Sequence, residues 1–205
     1  MPGTDDPRLV AALAAIDAAN AEDPERLAVD GHYRPKELVH AERVTHWLHR
    51  LVAEPSPAQV LAARAHHLRR WELPRTGYPA GRSGYLRWRA DQKKRHVAAV
   101  GDLLRSAGFA DEVTARVGEI VAKRGLGSDP EVQAHEDALC LVFLELQYDD
   151  LAAQLGDERT VEVLRKTLPK MSPAAVELAA GLDLSDHGRA LLTRAIAEPG
   201  RGSTR

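Results

Sequence analysis

The chain has 205 residues, 44% of them hydrophobic and 28% charged, with a net charge of −2. That length suits one domain with a real core, and that balance excludes a disordered, fibrous or collagen-like chain. The single cysteine, Cys140, excludes an internal disulfide framework, and no run approaches the roughly 18 consecutive apolar residues of a membrane span.

Aromatic residues are 4% of the chain, while Ala, Leu, Arg and Glu abound, so an all-α bundle of eight to nine helices is expected. In chain order, a capping residue followed by Pro announces the first helix at Asp6-Pro7. A second spans about 35 to 53, with His40, Val44, Trp47 and Leu51 on one apolar stripe. His46 and His49 lie roughly 240 and 180 degrees from His40 at about 100 degrees per residue, which turns them to solvent. Ser56-Pro57 starts the third helix, whose stripe Val60, Ala63, His67 and Trp71 points His67 inward, with His66 beside it. The segment from about 72 to 83 holds Pro74, Gly77, Pro79 and Gly81 and reads as a long loop, the kind of loop that is often functional.

Further helices are expected at about 84 to 107, with His96, Val100 and Leu103 in line, and at about 110 to 124. Asp129-Pro130 opens one on which Asp137 heads the stripe Cys140 or Leu141, then Leu144; later ones span about 157 to 169, start at Ser172-Pro173, and span about 185 to 197. No stretch alternates as a strand. The expected organisation is one helical domain over 1–198, with a core at about 35–145, helices at about 157–198, and a loose tail at 199–205. The first residues lack the basic and apolar parts of a signal peptide, so a soluble protein of the reducing cytoplasm, with no membrane partner, is expected.

Charge is uneven. Residues 64 to 95 hold ten Arg or Lys against Glu72 and Asp91, a local +8 that leaves −10 for the rest. Such an excess is either a solvated basic face or a surface for an anion: a small phosphorylated ligand or, less favoured, nucleic acid. Arg69, Arg70, Arg75 and Arg82 follow directly on the His67 helix, and with Arg43 they are the candidate substrate-binding residues, because guanidinium forks bind phosphate or carboxylate.

A carboxylate at the head of the apolar run Ala138 to Leu144 cannot stay ionised in a core without compensation. For Asp137 the candidates are Arg43, a histidine such as His40 or His67, or a metal. Four helices each turn a histidine or an aspartate inward, and imidazole with carboxylate is a common donor set for Zn, Fe or Mn. One divalent ion held by His40, His67 and Asp137 is expected, with His66 as a further donor and with His96 and Glu136 as catalytic proton carriers.

The spacing His40, His66-His67, Asp137 resembles the HD superfamily of metal-dependent phosphohydrolases, and the approach Ala62-Ala63-Arg64-Ala65 resembles the apolar approach to that superfamily's doublet. The likeness covers about 35 to 145 and implies an HD-like helical fold with a metal-bound water as nucleophile. His96 resembles a further histidine that some members use for a second metal or for phosphate. His67 stands where the superfamily places a metal-bridging aspartate, so one ion rather than two is expected. More closely, Pro35-Lys36-Glu37-Leu38, Arg69-Arg70-Trp71-Glu72, Pro74-Arg75, Tyr78-Pro79, Gly84-Tyr85-Leu86, Trp88-Arg89, Glu131-Val132-Gln133, Glu136-Asp137 and Cys140 to Glu145 are similar to a domain-of-unknown-function family of small bacterial, plant and fungal proteins. That likeness is nearly full length and implies no reaction.

Three functions follow as expectations: a metal-dependent hydrolase of a small phosphorylated or anionic metabolite or nucleotide, an iron-dependent oxygenase on the same donors, and a non-catalytic RNA- or protein-binding module using the basic 64–95 segment. Cys140 is no nucleophile, because its apolar surroundings raise a thiol pKa.

Overall fold

A computed structural model of the chain describes residues 6–29 and 31–197. Each of the four capping residues that precede a proline starts a helix. Asp6 accepts the Arg8 amide at 2.8 Å and opens α1 (Pro7–Ala21). Ser56 closes a reciprocal box with Gln59 and opens α3 (Pro57–Ala65). Asp129 caps α6 (Pro130–Leu146), and Ser172 caps α9 (Pro173–Ala180). Each such cap supplies about 1 kcal/mol by satisfying an amide the helix leaves unpaired.

The other helices are α2 (Lys36–Leu51), α4 (Gly81–Ser106), α5 (Asp111–Val121), α7 (Tyr148–Leu155), α8 (Asp157–Thr167) and α10 (Asp186–Ala197). The architecture is all-α, with ten α-helices among the described residues rather than eight or nine. The extra one is α7, which Gln147 separates from α6 with φ −129° and ψ −12°. One small sheet was not expected: β1 (Arg26–Val29) pairs antiparallel with β2 (His32–Pro35), Val29 opposite His32, as a hairpin that delivers the chain to α2. The expected tail at 199–205 lies outside the described residues.

α6 is buried almost all round, from Val132 to Leu144, and is the helix about which the others assemble. On one side a core of Val44, Leu48, Leu141, Leu144, Leu164 and Leu191 joins α2 to the C-terminal helices. A second core, including Ile16, Leu61, Leu104, Ile120 and Val132, joins α1, α3, α4 and α5. The long connection between α3 and α4 is tied down rather than free. Trp88 Nε1 donates to the Leu73 carbonyl at 2.9 Å, Gln92 Nε2 donates to the Arg70 and Leu73 carbonyls at 2.9 Å each, and two 3-10 turns (Arg70–Glu72, Arg75–Gly77) use up the slack. The connection then runs so close to α4 that a Cβ at Gly84 would overlap the Pro79 carbonyl oxygen.

Candidate metal centre

Five histidines gather where α2, the end of α3, α4 and α6 meet. Glu37 and His40 stand three residues apart in the first turns of α2, on one face of the helix. The start of α2 is fixed by the buried Asp23, whose Oδ2 accepts the Glu37 amide at 2.9 Å. His66 and His67 follow α3 in a turn that Arg69 closes with a left-handed φ of 50°. His96 comes from the middle of α4, and His135 and Glu136 from α6.

The rings of His40 and His67 stack at 4.2 Å, and His66 lies 4.8 Å from both His67 and His135. His96 stands 5.9 Å from His67 and 6.4 Å from His66, centroid to centroid. Glu37 Oε2 meets His67 Nδ1 at 2.9 Å, and His135 Nε2 meets His66 Nδ1 at 3.0 Å. When Glu37 is ionised it can only accept, which places the His67 proton on Nδ1 and leaves the lone pair on Nε2. The buried His40 Nδ1, His96 Nε2 and His135 Nδ1 have no hydrogen-bond partner.

Burial holds these rings neutral. It pushes His40, His96 and His135 down to about 3, helped by the Arg70 guanidinium at His40 and His96 and by the Lys123 ammonium at His135. His66 and His67 are held well below the usual histidine range by burial and then by their histidine neighbours. Burial also lifts Glu37 to about 7, against the pull of Arg70 at 3.9 Å. A cluster of neutral imidazoles with unpartnered nitrogens is what a cation requires, because protons then do not compete for the lone pairs at neutral pH. Glu37, His40 and His67 each offer a donor atom, and these atoms all lie within 4.8 Å of one another.

Beside this cluster opens a cavity of about 570 Å³. His40, His66, His67 and His96 line it, as do the cations Arg70, Arg89, Lys93, Lys123 and Lys170. Glu136 is the one acidic residue on its wall, and Lys123 forms an ion pair with it.

The carboxylate of the donor group is thus Glu37, and Asp137 is not part of it. The buried Asp137 is compensated by neutral donors: its Oδ1 accepts from Gln133 Nε2 at 2.9 Å and from the Ser172 amide at 2.8 Å, which pins the start of α9 to α6. Glu136 and Asp137 differ by about 100 degrees around α6, enough to turn one to the cavity and the other to α9. Among the candidate arginines only Arg70 lines the cavity, where it lies over the Trp88 ring at 4.9 Å. Arg43 approaches Glu145 at 3.5 Å, and Arg69 is shared between Glu22 and Glu72. Arg75 braces the connection through the Tyr78 and Pro79 carbonyls, and Arg82 is exposed outside the cavity.

Two residues of the cluster escaped the sequence reading. Glu37 carried a signal, a carboxylate three residues before a histidine on one helical face, a spacing familiar from helical metal sites. His135 shares the buried stripe of Ala138, Leu139 and Val142 but sits beside two acidic residues that draw attention first.

Among the described residues no helix is long and apolar enough to cross a membrane. No curated protein and no solved structure matches the chain. The sequence profile described as domain of unknown function (DUF4202) matches residues 10–192, and the chain belongs to that family.

Proposed function

We propose that the chain is a metal-dependent hydrolase of a small phosphorylated ligand, with Glu37, His40 and His67 holding one divalent ion. The observation that carries this reading is the convergence of four neutral histidines and five cations on one cavity. A bound ion would supply an acidified water at a position the three protein donors leave open. Everything else falls to the chain. Arg70 and the lysines hold the anion, and His96, neutral and with Nε2 unpartnered on the cavity wall, orients the attacking water by accepting its hydrogen bond. The water oxygen bonds to phosphorus, the ester P–O bond breaks, and the proton the water gives up passes to the leaving oxygen, which departs as an alcohol beside free phosphate. Glu136 keeps the Lys123 ammonium in place.

The order of His40, the adjacent His66 and His67, and His96 along successive helices supports an HD-like ancestry, with Glu37 in place of a distal aspartate. The buried, unreactive Cys140 thiol, raised to about 12 by burial, suits a reducing cytoplasm. Turnover of p-nitrophenyl phosphate with Mn²⁺, Zn²⁺ or Fe²⁺ tests the reading. Metal-stimulated release that His67→Ala and His96→Ala each lower at least a hundredfold supports it, and no stimulation by any of the three metals refutes it.

A second reading has its own observation: two histidines with one carboxylate are also the donor set of ferrous oxygenases. It predicts oxygen consumption by the Fe²⁺-loaded chain. The basic-module reading finds less support, because Arg64, Arg69, Arg75 and Arg95 are engaged with Asp17, with Glu22 and Glu72, with backbone carbonyls, and with Glu72.

A further inference from the structure

The cavity is chemically divided. Its lysines are poorly matched by acids, since Lys93 and Lys170 pair with no carboxylate among the described residues and Lys123 shares the buried Glu136. Lys123 is also in an unusual backbone state. It follows α5 with φ 56°, the left-handed conformation that closes a helix through the bonds from the Lys123 amide to Ile120 and from the Arg124 amide to Glu119, at 2.9 and 3.0 Å. Glycine is the residue that takes this position without strain. A lysine there costs strain and places an ammonium on the cavity wall. The Lys170 backbone is fixed as well, its carbonyl accepting from Gln133 Nε2 at 2.8 Å.

Beyond Glu136 the wall changes character. α6 presents Leu139, Cys140 and then Phe143, an apolar rail that ends about 10 Å further along the helix at about 1.5 Å per residue, with Val163 of α8 also on the wall. Gln147 and Thr167 are the polar residues at the far end of that rail, and an apolar ring system laid along it would bury surface against Leu139, Cys140 and Phe143. The cavity volume lies within the roughly 300–1,000 Å³ of single-ligand pockets.

We propose that the cavity takes a phosphomonoester with an apolar, aryl-like body, its phosphate among Lys93, Lys123 and Lys170 and its body along Leu139, Cys140 and Phe143. This deepens the hydrolase reading and rests on it for the choice of phosphate, but binding can be measured without turnover. Calorimetry on the full chain in EDTA would compare 1-naphthyl phosphate, inorganic phosphate, AMP and 1-naphthol. The expected result is that 1-naphthyl phosphate binds at least tenfold tighter than each of the other three. Its affinity should drop at least tenfold in Lys93→Ala/Lys170→Ala, two exposed positions whose truncation leaves the circular dichroism spectrum unchanged. Equal affinity for naphthyl and inorganic phosphate, tighter binding of AMP, no binding of 1-naphthyl phosphate, or indifference to the lysine variant would each overturn the proposal. Tight naphthyl phosphate binding without cleavage by the metal-loaded chain would uphold it while refuting the hydrolase reading.

Discussion

Acid should unfold the metal-free protein early, because its histidines are buried as neutral rings. An unfolded histidine titrates near 6.5, whereas His40, His96 and His135 in the fold take up protons only near 3. Between those values the unfolded chain binds protons that the native one refuses, so stability falls as the pH drops below 6.5. At pH 5 the loss is about 2 kcal/mol per ring, or about 6 kcal/mol for the three. Glu37 acts in the opposite sense. Its native carboxyl takes a proton near 7 and its unfolded one near 4.5, so acidification returns about 2 to 3 kcal/mol. His66 and His67 add to the loss, since burial lowers them too. A net loss of at least about 3 to 4 kcal/mol is a large share of the ~5–15 kcal/mol that holds a domain folded. Urea titrations followed by circular dichroism in EDTA at pH 8, 6.5 and 5 would measure it. His96→Leu should make the acid limb shallower, recovering about 2 kcal/mol of the difference between pH 8 and pH 5. Stability at pH 5 within about 1 kcal/mol of that at pH 8 would refute the reasoning.

Glu37→Gln should weaken metal binding about 10- to 100-fold, because the amide neither ligates as an anion nor orients His67 as a carboxylate does; equilibrium dialysis against Zn²⁺ reads this directly. Asp137→Ala should cost about 1–3 kcal/mol in urea denaturation, by leaving the Ser172 amide and the Gln133 side chain short of an acceptor, yet keep metal affinity within twofold. Gly84→Ala should destabilise by at least about 1–3 kcal/mol, since the added methyl meets backbone rather than a yielding side chain, and thermal melting would register it.

Much of the fold could be read in advance because local chemistry states it. The capping residue and proline pairs at Asp6, Ser56, Asp129 and Ser172 mark helix starts without reference to tertiary contacts. The hairpin was harder. Its strands are four residues each and half-exposed, with Tyr33 80% exposed, so no alternating pattern stands out, although Asp30-Gly31 is a known hairpin dipeptide. The break before α7 has no Pro or Gly to announce it.

For the site, periodicity found the inward faces of His40 and His96, which helical geometry alone determines, whereas His67 reaches the cluster from the turn that follows α3 rather than from a helix running on to Trp71. Periodicity could not choose among buried acids. Glu37, Glu136 and Asp137 all sit on buried faces, and their fates depend on partners far away in sequence: His67, Lys123 and the Ser172 amide. The charge run pointed to the cavity only in part, for the same reason: Arg70, Arg89 and Lys93 of it line the wall. Arg75 and Arg95 bind carbonyls and a carboxylate that only the folded connection brings near, while Lys123 and Lys170, outside the run, line the cavity.

The metal content of protein purified without chelator, and reloaded by dialysis, tests the central claim most directly. The account predicts about one divalent ion per chain, lost in both His40→Ala and His67→Ala and retained in Asp137→Ala. A chain that binds no ion, or that binds it equally well without His67, would contradict it.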